Sequence, residues 1–112
     1  MSEVVVVGSE TYTGTQANIN TALGTTIGSV TFVCSADNSF VSNMAQVWAT
    51  ANGVPFLNLG QALQGIGFDP IRAPLAAMYW STPTNVLLCG SHARVTAASG
   101  AALALGKTIT AI

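Results

Sequence analysis

A chain of 112 residues has the size of one domain, and a single core burying roughly two thirds of the unfolded surface is expected over 1–112. Half of the residues are hydrophobic, yet there are only 3 Lys and Arg and 4 Asp and Glu, for a formal net charge of -1. That excludes the basic footprint on which phosphate neutralisation depends, so no nucleic-acid partner is expected, while weak self-repulsion makes a homo-oligomer the expectation.

The chain opens with Met1-Ser2-Glu3 and four valines, without the basic region and longer apolar stretch of a signal peptide. No run of about 18 apolar residues occurs, so no membrane partner and a cytoplasmic location are expected. Val4 to Val7 is a β-branched run stopped by Gly8-Ser9, which predicts a strand buried on both faces. Thr15 to Leu23 follows as a helical stretch. Val30 to Cys34 repeats the strand pattern. Val41, Met44, Ala45 and Trp48 then fall at helical spacing, with Asn38 or Ser39 placed to cap the start and Gly53 to close the end.

Val54 to Leu57, entered through Asn52-Gly53, predicts a third strand. Leu59 to Arg72, with Gly60, Gly65, Gly67 and Pro70, is the longest stretch without a regular pattern and is expected to be a flap or a subunit contact. Pro74 to Ser81 predicts a helix with proline in its first turn. Val86 to Cys89, stopped by Gly90, and the weaker Thr108 to Ile112 complete the strands. A helix rich in Ala and Leu lies between them from about Thr96 to Leu105. Strand and helix therefore alternate throughout, the pattern of an α/β fold: a Rossmann-like three-layer arrangement with about five parallel strands and helices on both faces.

Ligands of open parallel sheets bind beyond the carboxyl ends of the strands, where helix N-termini present unbonded backbone N–H groups. The rare ionisable groups are expected to gather at that edge. Glu10 follows the first strand, Asp37 the second, Asp69 and Arg72 the third, and His92 and Arg94 the fourth, while Glu3 and Lys107 lie elsewhere. The segment Gly90-Ser91-His92-Ala93-Arg94-Val95-Thr96 leaves a strand and opens a helix, so Ser91, Arg94 and Thr96 could bond a phosphate or ribose. Ser35 to Ser39 repeats this geometry. There Asp37 could take a ribose hydroxyl pair, with helix capping as the plainer role.

His92, the only histidine, reads as solvent-facing or base-contacting rather than as a general base. No Cys, His and Asp cluster at ligand spacing predicts a metal site, and no cofactor is expected. Trp48, Tyr79 and Trp80 read as core or subunit contacts. Cys34 and Cys89 form no disulfide framework, which suits a reducing compartment.

These residues resemble those of the short YspA-like members of the SLOG superfamily, Rossmann-like proteins related to lonely-guy enzymes and to nucleotide-sensing domains. Val4 to Ser9 match the family's opening strand and Gly-Ser, with Glu10 in place of its arginine. Ala45, Trp48-Ala49 and Gly53-Val54-Pro55 match its second helix and exit, while Ser35 to Ser39 lacks the family's glycines. Arg72-Ala73 corresponds to its Arg-Asn pair, Met78 to an apolar anchor of the next helix, and Val95-Thr96 to its Gly-Thr.

The tail from Gly100 to Lys107 is also similar to that of nucleoside deoxyribosyltransferases, with Ala98 at the place of their catalytic glutamate. The resemblance implies the strand order 3-2-1-4-5, which would leave Cys34 and Cys89 about 9 to 10 Å apart, across an intervening strand and too far for a bridge. It further implies a non-catalytic protein that binds a nucleotide-derived signal, such as a cyclic nucleotide or an ADP-ribose derivative, as a sequestering sponge or a sensor. The expected ligand contacts are Gly8, Ser9, Glu10, Ser35, Asp37, Asn38, Arg72, Gly90, Ser91, His92, Arg94 and Thr96. The alternatives are a nucleotide N-glycosidase or deoxyribosyltransferase, with Glu10 as its carboxylate, and an oligomeric structural module with a vestigial site. With Ala98 in place of the expected carboxylate, the residues lean against an enzyme.

Overall fold

Four consecutive valines place β1 (Ser2–Val7) at the centre of the molecule. Val4 and Val6 face one helix layer and Val5 and Val7 the other, all at 1% exposure or less. Each such side chain contributes on the order of 1.5 to 3 kcal/mol relative to leaving it in water. The computed structural model describes the chain apart from residues 1, 10–11, 37–38, 68–71, 82 and 92, and at residues 64, 73 and 79–81 the backbone alone.

The sheet is wholly parallel, in the order β3-β2-β1-β4-β5, formed by β1, β2 (Val30–Ser35), β3 (Phe56–Asn58), β4 (Asn85–Leu88) and β5 (Thr108–Ala111). Val5 pairs with Cys34 on one side and Val86 on the other. Cys34 and Cys89 are both buried, and neither is in a disulfide. They belong to opposite helix layers, Cys34 packing with Val5 and Val7 and Cys89 with Val4 and Val6.

One face of the sheet is covered by α1 (Gln16–Thr21), a π-helical segment (Ala22–Ile27) and α2 (Phe40–Ala51). Val41, Ala45, Trp48 and Ala49 make the buried stripe of α2, at the spacing predicted. The Gln16 amide Nε2 donates to the Met44 carbonyl at 2.9 Å and ties α1 to α2. The other face carries α3 (Leu59–Gly65), α4 (Arg72–Ser81) and α5 (Ala93–Ala104), packed through Leu63, Met78, Val95, Ala98 and Ala102. The three-layer α/β architecture is therefore the one the alternation of strand and helix predicts.

Four elements depart from the sequence expectations. Within Leu59 to Arg72, residues Leu59–Gly65 form a helix rather than irregular chain; the Asn58 side chain accepts from the Gln61 N–H at 3.0 Å and starts it. The first helix widens after Thr21, and the Gly28 N–H reaches back five residues to the Leu23 carbonyl at 3.2 Å, as Gly24 and the β-branched Thr25 and Thr26 loosen the turn. Val54 and Pro55 precede β3 rather than belonging to it. The last helix begins at Ala93, so Thr96 lies inside it and not at its start. Among the described residues no helix is long and apolar enough to cross a membrane.

Candidate functional site

The chain runs outward from β1 to β2 to β3, then crosses back over β1 to lay down β4 and β5. The crossovers thus diverge at the carboxyl ends of β1 and β4, where an open parallel sheet leaves a crevice. Two short turns occupy this position: Gly8-Ser9, and Cys89-Gly90-Ser91. The Cys89 N–H donates to the Val7 carbonyl at 2.8 Å and the Ala36 N–H to the Val6 carbonyl at 2.9 Å, so the loops after β1, β2 and β4 leave the sheet at one level.

Glycine is required in both turns. A single carbon added at Gly8 would penetrate Val41 and come within 2.9 Å of Ser39 Oγ, so the end of β1 butts against the first turn of α2. Gly90 has φ +93°, in the left-handed region, and a Cβ there would lie 2.9 Å from Ser9 Oγ and 3.5 Å from Tyr12 Cα. Ser9, Ser39, Gly90 and Tyr12 therefore meet in one place, although they come from three different loops. Ser9, Ser35 and Ser39 are buried, and Ser9 and Ser35 are engaged within the chain.

Over this floor lies an aromatic pair that sequence reasoning missed. The rings of Tyr12 and Phe40 stack with centroids 6.4 Å apart and planes 24° apart. The Tyr12 N–H donates to the Ser9 carbonyl at 3.2 Å, which curls the chain back over the turn. Tyr12 is half-buried, and Phe40 is 38% exposed. Partial burial, with a smaller contribution from Cys89 nearby, raises the Tyr12 phenol above its usual range, so the ring is neutral at neutral pH. The signal for the pair was present: one aromatic follows the first predicted strand and the other follows the cap of the second helix, which assigns both to the carboxyl edge.

The predicted cations divide. Arg94, in the first turn of α5, is only 5% exposed and is engaged within the chain. Arg72 is exposed at the start of α4, whose far end delivers the chain to the start of β4; it therefore lies towards the carboxyl edge and is also engaged. Ser91 is exposed beside Gly90, and Thr96 is exposed on α5. Glu10, Asp37, Asn38, Asp69 and His92 lie outside the described residues. Glu3 and Lys107 are apart from this edge, on β1 and just before β5.

Ala98, the residue expected to stand in place of a carboxylate, is fully buried with Val5, Met78 and Val86 and is part of the apolar core. Among the described residues no group of three or more His, Cys, Asp or Glu could hold a metal ion. An open hollow lined by Asn43, Gln46, Val47, Thr50 and Ala51 lies on the outer face of α2, is built from one helix alone, and carries no charged group. Comparison with protein-family models, with curated proteins and with solved structures found no match.

Proposed function

We propose that the chain binds a nucleotide-derived small molecule at the carboxyl edge of β1 and β4, without turning it over. The observation that carries this reading is the Tyr12–Phe40 pair, a partly exposed aromatic surface beside the glycine turns of the switch point. A stacked ring pair offers a nucleobase a π-face and an apolar wall, worth about 1 to 3 kcal/mol per base. The adjoining Gly8-Ser9 and Gly90-Ser91 turns supply small, close-approaching backbone for a ribose or phosphate, and Arg72 supplies a cation towards the same edge.

The proposal includes kinship with the YspA-like SLOG proteins, drawn from Val4 to Ser9, Trp48-Ala49 and Gly53-Val54-Pro55. It also includes a signalling nucleotide, a cyclic nucleotide or an ADP-ribose derivative, held as a sponge or a sensor holds it. The buried thiols of Cys34 and Cys89, neither of them in a disulfide, fit a reducing, cytoplasmic setting. The apolar surroundings of Ala98 favour binding over glycosidic cleavage, since no carboxylate stands there.

Isothermal titration with a panel of cyclic nucleotides and ADP-ribose derivatives tests the reading, followed by recovery of the ligand. Saturable binding that is lost in Tyr12→Ala, with ligand recovered intact, is the expected result. Recovery of free base would favour the glycosidase alternative, and absence of any binding across the panel would end the proposal.

A further inference from the structure

The sheet has two edges, and only one is guarded. At β3 the strand is three residues long and is entered through Pro55, whose carbonyl is taken by the Val33 N–H at 3.1 Å. Its last residue, Asn58, is occupied in starting α3. Shortness and an adjacent proline are the usual devices that stop one sheet from pairing with another. At the opposite edge, β5 runs beside β4 from Thr108 opposite Asn85 to Ala111 opposite Leu88, with neither a charged side chain nor a proline from Thr108 to Ile112.

The hydrogen bonds fix which groups of β5 point outward. The Thr108 N–H donates to the Thr84 carbonyl at 3.2 Å, the Ile112 N–H donates to the Leu88 carbonyl at 2.9 Å, and the Ile112 carbonyl accepts from the Gly90 N–H at 3.2 Å. Alternate residues of a parallel strand bond to the same side, so 108, 110 and 112 serve β4. Ile109 and Ala111 therefore turn both their N–H and C=O away from the sheet, and no described residue takes them.

From this arrangement we infer that β5 is the docking edge for a second copy of this chain, paired antiparallel about a two-fold axis at Thr110, which joins two five-stranded sheets into one. An axis at Thr110 sets Ile109 opposite the partner subunit's Ala111, and Ala111 opposite the partner subunit's Ile109. These are the residues with outward groups, and in an antiparallel ladder each such pair exchanges both of its backbone bonds. The edge is thus complementary to itself.

The flanks suit the same occupant. The face of the sheet next to β5 is covered by α5 on one side and by the π-helical segment on the other. The exposed positions of α5, Ala93, Thr96, Gly100, Leu103 and Ala104, are uncharged, and so are exposed Gly24, Thr25 and Thr26. Leu103 is 70% exposed, the most of any large apolar side chain named on this surface. A second copy would meet no like charge there, and the two Lys107 side chains would fall at opposite ends of the paired strands.

The test uses the whole chain without ligand. Sedimentation equilibrium should give a mass of two chains at high concentration. In that dimer the Ile109 and Ala111 amides should exchange with deuterium at least about tenfold more slowly than in the diluted monomer. Ala111→Pro removes one outward donor and no bond of the internal ladder, so it should halve the mass and leave the far-ultraviolet circular dichroism unchanged. Thr110→Lys, which brings like charges face to face at the axis, should also give the mass of one chain. A wild-type chain that stays monomeric, a dimer whose Ile109 and Ala111 amides exchange freely, or a folded Ala111→Pro chain that remains dimeric would each overturn the inference. Should Ala111→Pro fail to fold, the amide exchange of the wild type decides alone. The inference is independent of the nucleotide reading, which is tested by titration.

Discussion

The Tyr12 ring lies stacked against Phe40, 6.4 Å between centroids, and brings together the loop after β1 and the first residue of α2. If a nucleobase rests on this pair, removing either ring costs the stacking and leaves the sheet untouched. Tyr12→Ala and Phe40→Ala are each expected to weaken nucleotide binding by roughly 10- to 100-fold, in line with about 1 to 3 kcal/mol per stacked base. Titration of both variants against whichever nucleotide binds the wild type checks this. Unchanged affinity in both would move the ligand elsewhere.

Gly14 offers a subtler route to the same pair. The Tyr12 phenol lies over Gly14, in the space that a Cβ on residue 14 would need. The group to be displaced is the far end of a side chain, so Gly14→Ala should barely change stability while swinging the ring off its position. The expected outcome is a melting temperature within a few degrees of wild type, together with weakened nucleotide binding. A Gly14→Ala chain that binds as tightly as wild type would show that the placement of the Tyr12 ring does not matter.

Gly8 is the opposite case. A Cβ there would meet Val41, itself fully buried and held at the start of α2. Neither the β1 backbone nor the α2 turn can yield without opening the core. Overpacking of this kind costs about 1 to 3 kcal/mol, so Gly8→Ala should shift the urea midpoint clearly downward. Gly53→Ala serves as the contrast: no atom stands within 4 Å of its Cβ position, and its cost comes only from the φ of +66°.

Much of the fold was legible because few signals competed. The four valines of β1 are buried by both helix layers, so their unbroken run read directly as a central strand. Val41, Ala45 and Trp48 kept helical spacing without interruption. The helix Leu59–Gly65 was hidden because two of its seven residues are glycines, and its start depends on an Asn58 side chain whose partner is a backbone group. The widened turn after Thr21 was equally invisible, since six residues are too few to tell a π-helical period from an α-helical one. At the site, attention to charge passed over Tyr12 and Phe40, whose stacking is a contact between distant loops. The burial of Arg94 was not legible either, because burial of a long side chain is decided by packing around it and not by its loop position.

Cys34 links the core to alkaline stability. Its burial pushes the thiol up to about 11 from the ordinary 9.0, against a smaller pull downward from the Leu59 backbone hydrogen bond. The folded value lies above the unfolded one, so the stability associated with the neutral thiol is complete below about pH 9 and is lost as pH rises towards 11. At about 1.4 kcal/mol per pH unit, the loss is on the order of 2 to 3 kcal/mol. Tyr12, also raised by burial, adds to the decline in the upper part of that range. Urea unfolding from pH 8 to pH 11 should therefore show a falling midpoint in the wild type and a flatter one in Cys34→Ala, with Tyr12→Phe removing the remainder. Iodoacetamide should label Cys34 in the folded chain far more slowly than in urea. A Cys34→Ala profile that falls as steeply as the wild type would assign the alkaline loss to other groups.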